Sequence, residues 1–452
     1  MRPYQDKIKK DTMNKQVLKL AIPNIVSNIA VPLAGMIDLA LMGYLDGAVD
    51  YVAAISLGGM IFSFVYATFI FLRMTTTGFT AQAYGRRDFE ESALVLSRSL
   101  SVAAITAVAL LALQVPLEKA AFVIFTTEPE VAALTREYYY IRIWAAPATI
   151  GLYSLLGWFI GMQNAKTPMV IAVSINVLNL SFSALFILVF GMQSEGVALG
   201  TLIAQYCGLS MAVYTLLTRY RPCLRHWQRK AIFTFKGLFD FFNVSKDVLI
   251  RTICLVGVFT FFTSESAAAS KHILAVNNLL LQFLVLFAYL IDGFAYAAEA
   301  LTGKFIGAGK KEDLKLCVAC LFKWGRVLAL LFVVLYGIAQ ENILYLLTDD
   351  IKIITDAREY VIWMIILPLS GYAAYLWDGI YIGATASTVI RNAMLLSVFA
   401  VFAPAYAIGH LYLGNHALWL ALVLFMFSRG IFLRYGAQKA IYNHPSLCLT
   451  EH

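Results

Sequence analysis

Apolar residues run in long stretches from residue 17 onward, broken only by short polar patches. A helix needs ~20 mostly apolar residues to cross the hydrocarbon core of a bilayer. Runs of that length fall at 17–43, 51–81, 92–115, 132–162, 168–192, 196–218, 240–263, 273–303, 315–338, 353–383, 392–412 and 415–435. The pattern predicts twelve membrane-spanning helices. A membrane β-barrel would show ~10-residue strands alternating apolar and polar positions, and no long segment alternates.

Composition agrees. Of 452 residues, 60% are hydrophobic and 14% charged, with a mean hydropathy of +0.74. Soluble domains carry about 25% charged residues, so this chain reads as an all-α integral membrane protein. The net charge of +8 does not point to nucleic acid, because the basic residues lie between the apolar runs. They report orientation instead. Lys7, Lys9, Lys10 and Lys15 precede the first run, Arg86 and Arg87 follow the second, and Arg219, Arg221, Arg225, Arg229 and Lys230 follow the sixth. Lys304, Lys310 and Lys311 follow the eighth, and Arg434 and Lys439 the twelfth, while the alternate loops are acidic or neutral. A multi-pass protein of the plasma or inner membrane is expected, with both termini cytoplasmic. No cleavable signal is expected: residues 1–19 form a basic arm, and the apolar stretch after it is too long for a signal segment.

Several chemistries drop out. Cys317 and Cys320 have zinc-like spacing, but no second Cys or His pair follows, so no metal site is expected. No Gly-x-x-x-x-Gly-Lys loop is present, and of six histidines only His410 and His416 fall inside the apolar runs, each close to an end. The chain is expected to be a transporter and not an enzyme, to need no cofactor, and to draw its energy from an ion gradient.

The sequence also repeats itself. Arg136-Glu137-Tyr138 recurs as Arg358-Glu359-Tyr360, an offset of 222. The same offset pairs Gly85 with Gly307, Tyr153 with Tyr375, Gly157 with Gly379 and Gly161 with Gly383. Two homologous six-helix halves, 1–222 and 223–452, follow. An even number of helices per half makes the repeats parallel, as in transporters that rock two lobes about a central cavity.

An ionisable side chain at membrane depth costs ~2.5–3.5 kcal/mol, so each needs a reason. Asp38 lies inside the first run, with Pro23 and Pro32 on the same helix. A carboxyl group taken out of water holds its proton more readily, which is what a proton carrier needs. The other reading is a fixed carboxylate neutralised by Arg73 or Arg142. Asn176, Asn179 and Ser183 share one face of the fifth helix, and Thr201 opens the sixth. These groups form either a small polar site for a proton, water or Na⁺, or interhelical hydrogen-bond glue. In the second half Arg251, Asp292, Glu299 and Asp378 are candidates for a substrate cavity or coupling network. Arg251 with Asp292 also reads as a fixed ion pair, and Glu299 as a solvated group near the cytoplasmic surface. The offset places Thr260 opposite Asp38, so the acids of the two halves are not duplicated.

Phe71-Leu72-Arg73-Met74-Thr75-Thr76-Thr77-Gly78-Phe79-Thr80-Ala81-Gln82-Ala83-Tyr84-Gly85 resembles the second-helix signature of the DinF branch of the MATE (multidrug and toxic compound extrusion) transporters. Asn277-Asn278 with Tyr289-Leu290-Ile291-Asp292-Gly293-Phe294-Ala295-Tyr296 is similar to that branch's eighth helix, and Asp378-Gly379-Ile380-Tyr381-Ile382-Gly383 to its tenth. The resemblance implies the MATE fold: twelve transmembrane helices in two pseudo-symmetric six-helix lobes arranged as a V. It also implies cation-coupled antiport. Its amino-terminal cation site matches Asp38, Asn179 and Thr201. Many relatives carry an Asp where this chain has Ser183, a departure that disfavours Na⁺ and favours proton coupling through Asp38. The expected activity is export of amphipathic or cationic organic compounds driven by H⁺ influx. Na⁺ coupling and flipping of a lipid-linked precursor are the alternatives. The expected partners are small organic molecules and the lipid bilayer, with no nucleic acid, for a chain acting as a monomer.

Overall fold

The computed structural model describes residues 2–42, 48–125, 127–224, 235–348 and 350–448; the side chains of 2–7, 31, 33–42, 48, 124, 235–238 and 448 lie outside that description. The first half holds α1 (Arg2–Met42), α2 (Ala48–Thr68), α3 (Phe71–Arg86), α4 (Phe89–Ala112), α5 (Gln114–Ile124), α6 (Pro129–Arg142), α7 (Ala146–Gly161), α8 (Lys166–Leu188), α9 (Ser194–Arg219) and α10 (Arg221–Leu224). The second holds α11 (Phe235–Ala269), α12 (Lys271–Gly307), α13 (Lys311–Leu347), α14 (Ile351–Gly383), α15 (Ser387–Leu396), α16 (Ala403–Leu413), α17 (Asn415–Ala437) and α18 (Pro445–Cys448). No strand occurs among the described residues. Eleven candidate spans run from Val49–Arg86 to Asn415–Leu447 among the described residues. With α1, which carries the first apolar run, they make the twelve expected.

The structure departs from the simple pattern in two ways. The basic arm at the start continues α1 as helix from Arg2. Several spans are also interrupted. A 3-10 turn, Ile143–Ala145, joins α6 to α7 just before Pro147, and a π-helical segment, Ser397–Phe402, joins α15 to α16 just before Pro404. Proline has no N–H to donate and crowds the preceding turn, so the helix changes its pitch there. Some helix starts are capped by a side-chain oxygen: Asp88 accepts from the Glu91 N–H at 2.9 Å, and Ser270 from the Ile273 N–H at 3.0 Å.

The duplication is visible in backbone detail. Arg87 and Gly309, 222 apart, both have positive φ and both end a helix. Beside them Asp88 N–H reaches the Ala83 carbonyl and Lys310 N–H the Phe305 carbonyl, each at 2.9 Å. Gln163 and Thr385 repeat the pattern with φ of 62° and 53°. The close helix contacts repeat too. A Cβ at Gly157 would fall 2.4 Å from the Arg73 carbonyl oxygen, and one at Gly379 would fall 2.3 Å from that of Ala295.

Compactness groups the chain differently from the repeat. One unit comprises Met1–Ile25 with Phe242–His452, and the other is Val26–Phe241. The boundary between the first two segments falls inside α1, two residues after Pro23. In the first unit Met13, Val17, Leu20 and Ala21 form a buried stripe at helical spacing. Lys9 pairs with Asp313 at 2.8 Å, and Trp324 donates to Asn14 at 3.1 Å.

Candidate functional site

The Val26–Phe241 unit contains a cavity of about 520 Å³. Its walls come from α2, α6, α7, α8 and α9 and from the 3-10 turn between α6 and α7. Three of the residues expected on the fifth and sixth spans line it: Asn176, Asn179 and Thr201. Asn179 donates Nδ2–H to Thr201 Oγ1 at 2.9 Å, and Thr201 donates onward to the Val197 carbonyl at 3.0 Å. Asn176 Nδ2 is buried without an acceptor. Ser183 is not part of this wall. It is fully buried, and a Cβ at Gly200 would fall 2.6 Å from its Oγ, so it serves the contact between α8 and α9. Asp38 falls on α1, with its side chain outside the described residues.

Facing the amides are the rings of Tyr66, Tyr138 and Tyr153. Arg142, from the end of α6, reaches the cavity, hydrogen-bonds the Tyr138 hydroxyl, and places its guanidinium 5.3 Å from the centroids of both Phe62 and Tyr138. Such cation–π contacts hold both partners in place. Arg73, the other arginine considered for Asp38, is buried on α3 outside the cavity lining.

The second-half candidates form a separate cluster. Asp378 on α14 accepts through one oxygen, Oδ2, from Arg251 Nη2 of α11 at 2.5 Å and from Arg429 Nη2 of α17 at 2.6 Å. All three side chains are buried. Arg251 was expected to pair with Asp292; its hydrogen bond to Asp378 brings a second carboxylate to the same guanidinium. Asp292, half-buried on α12, lies within electrostatic range of Arg251 and of Tyr375. Glu299 is corrected. It is 1% exposed, not solvated, at the point where a Cβ on Gly383 would fall 2.4 Å from its carbonyl oxygen.

Comparison with known proteins agrees with this architecture. The MatE family profile matches residues 23–185 and 248–407, more than half of the chain. The chain belongs to the MatE family. It is 37% identical over 425 residues to DNA damage-inducible protein F of Escherichia coli, covering 93% of this chain and 91% of that protein. It is 24% identical over 372 residues to a probable multidrug resistance protein NorM of Thermotoga maritima, covering 78% and 76%. Among solved structures, a mutant of the Vibrio cholerae MATE transporter VcmN superposes with a TM-score of 0.85 at 17% identity, covering 98% of this chain and 100% of that one. A MATE in complex with MaD3S gives 0.83 at 20% identity, with 97% of each chain covered. The protein is thus a multi-pass membrane transporter of the multidrug and toxin efflux kind, not an enzyme.

Within this MATE chain, two site residues escaped the sequence reading. Arg429 was legible as an ionisable residue inside the apolar run 415–435, but nothing in the sequence ties it to Asp378, 51 positions away. Asp247, inside the run 240–263, is buried; it accepts from Arg391 Nη1 at 2.7 Å, Thr388 Oγ1 at 2.9 Å and Ser387 Oγ at 3.0 Å. It ties α11 to the start of α15.

Proposed function

We propose that this MATE transporter is a secondary antiporter. It would export organic, amphipathic or cationic compounds from the cytoplasm across the plasma or inner membrane as H⁺ enters through Asp38. It would act as a monomer with both termini cytoplasmic and no cofactor beyond the coupling ion. The observation that carries this reading is the hydrogen-bonded Asn179–Thr201 pair on the wall of a polar–aromatic cavity. These are two of the three positions that the family resemblance assigns to the cation site, and Asp38 is the third. Neutral amide and hydroxyl groups suit a proton site, since they add no competing charge beside the carboxyl. Ser183, turned into the α8–α9 contact, supplies no carboxylate for Na⁺.

In the cycle proposed, Asp38 takes a proton while the site faces outward, and protonation releases the cargo. Loss of the proton to the cytoplasm restores the carboxylate and lets cargo bind again. The test is dye efflux from proteoliposomes with pH and sodium gradients imposed separately. Wild type should respond to the pH gradient alone, and Asp38→Asn should fold normally yet lose that response. Transport driven by sodium alone, or unchanged proton-driven transport in Asp38→Asn, would refute the proposal.

A further inference from the structure

One face of the span Ser387–Leu413 carries a second cavity, of about 540 Å³, away from the first-half site. Its described lining is Asn392, Leu395, Leu396, Phe399 and Ala400, a spacing that puts all five on one side of the helix. Leu395 is half-buried and the other four are exposed. Polarity is graded along this face: Asn392 lies about 7 Å from the start of the span at ~1.5 Å per residue, and the four apolar residues follow toward its middle. Arg391 fixes the polar end. Its Nε and Nη2 donate to Asn392 Oδ1 at 3.1 and 3.0 Å, and its Nη1 donates to the buried Asp247 at 2.7 Å. A guanidinium has five N–H groups, so two are left over. The Asn392 carboxamide, held by its oxygen, has both Nδ2 hydrogens without an acceptor among the described residues. We propose that this face binds an anionic phospholipid: the headgroup phosphate accepts from Asn392 and Arg391, and an acyl chain lies along Leu395, Leu396, Phe399 and Ala400.

The order of the groups suits a lipid. Donors at the end of a span meet the headgroup layer, and apolar residues deeper in the span meet hydrocarbon. Guanidinium and amide N–H groups held in a fixed array match the oxygens of a phosphate. Asp247 does not cancel the attraction, because its carboxylate is buried and shared with Ser387 and Thr388, whereas the Arg391 side chain is 26% exposed. The groove ends in the π-helical segment Ser397–Phe402, where the wider turn breaks the regular row of side chains. The repeat supplies an internal contrast. An offset of 222 places Met169 and Val170 opposite Arg391 and Asn392, so the first half has the same helix without the donors. The site does not depend on the coupling ion or the cargo.

The test is native mass spectrometry of the full chain released from detergent. It is titrated with dioleoyl phosphatidylglycerol, with dioleoyl phosphatidylcholine (same chains, zwitterionic headgroup) or with glycerol 3-phosphate (no chains). Wild type should hold phosphatidylglycerol about tenfold more tightly than phosphatidylcholine and should not retain glycerol 3-phosphate. Asn392→Asp keeps an oxygen for Arg391, removes both free donors and adds a negative charge. It should keep the wild-type unfolding midpoint, lose about tenfold in phosphatidylglycerol affinity and leave phosphatidylcholine unchanged. Asn392→Val, which copies Val170 of the first half, serves if the aspartate variant does not fold. Unchanged phosphatidylglycerol retention in both variants, equal retention of the two lipids by wild type, retention of glycerol 3-phosphate, or a dimer that excludes lipid would overturn the proposal.

Discussion

Asp378 is the buried meeting point of two arginines in the second half. One of its oxygens receives two guanidiniums from two other helices, and its second oxygen, Oδ1, is buried without a hydrogen bond. Ions removed from water need close partners, and deleting one partner strands the rest at a cost of ~3–5 kcal/mol. Asp378→Ala should therefore lower the thermal unfolding midpoint in detergent steeply. The triple replacement Asp378→Leu, Arg251→Met, Arg429→Met should recover part of that loss, because the three hydrogen-bonded charges leave together while Asp292 stays behind. A mild single variant, or a triple variant no better than the single, would show that Asp378 is not held by this pair. The duplication places Leu156 opposite Asp378 and Ile70 opposite Asp292, so the first half has no matching cluster. Its polar residues line a cavity instead.

At the scale of helices, glycine sets how closely neighbours approach. Gly157 lies against the Arg73 backbone and Gly379 against that of Ala295, at positions related by the same offset of 222. In both cases the missing Cβ would lie well inside van der Waals distance of a carbonyl oxygen, and a backbone cannot step aside as a flexible side chain does. Gly157→Ala and Gly379→Ala should each destabilise by about 1–3 kcal/mol, measured by thermal or denaturant unfolding. Gly59→Ala, where nothing lies within 4 Å, should be nearly silent. The glycines were legible as a repeated pair, and so was the count of spans, because both are properties of order along the chain. The interruptions were not. Hydropathy measures apolar content over a window, and a 3-10 or π turn before Pro147 or Pro404 leaves that content unchanged. The same limit hid which arginine meets Asp378. Residues on α11, α14 and α17 share one contact only after the helices pack, and a single sequence carries no record of side-chain direction across three helices.

Across the whole molecule, the repeat and the compact units do not coincide, and α1 is where they part. Its first 25 residues group with Phe242–His452, although by descent they open the first half. The tightest point of that association is Gly293 on α12, where a Cβ would lie 2.3 Å from Ile25 Cγ1, 2.9 Å from its backbone nitrogen and 3.0 Å from the Ala21 carbonyl. The buried stripe Met13, Val17, Leu20 and Ala21 extends the contact toward the chain start, ending at the Trp324–Asn14 and Lys9–Asp313 ties. Gly293→Val would have to push α1 away from α12, and the stripe would lose its packing with it. Hydrogen exchange read by mass spectrometry should then rise in residues 13–25 and 289–297, with a lower unfolding midpoint. Helices α8 and α9, in the other unit, should keep their wild-type exchange. If protection in 13–25 survived the substitution, the arm would be stable as a helix on its own account and its grouping with the second half would have no energetic content. A uniform rise across both units would instead mean that the units unfold as one.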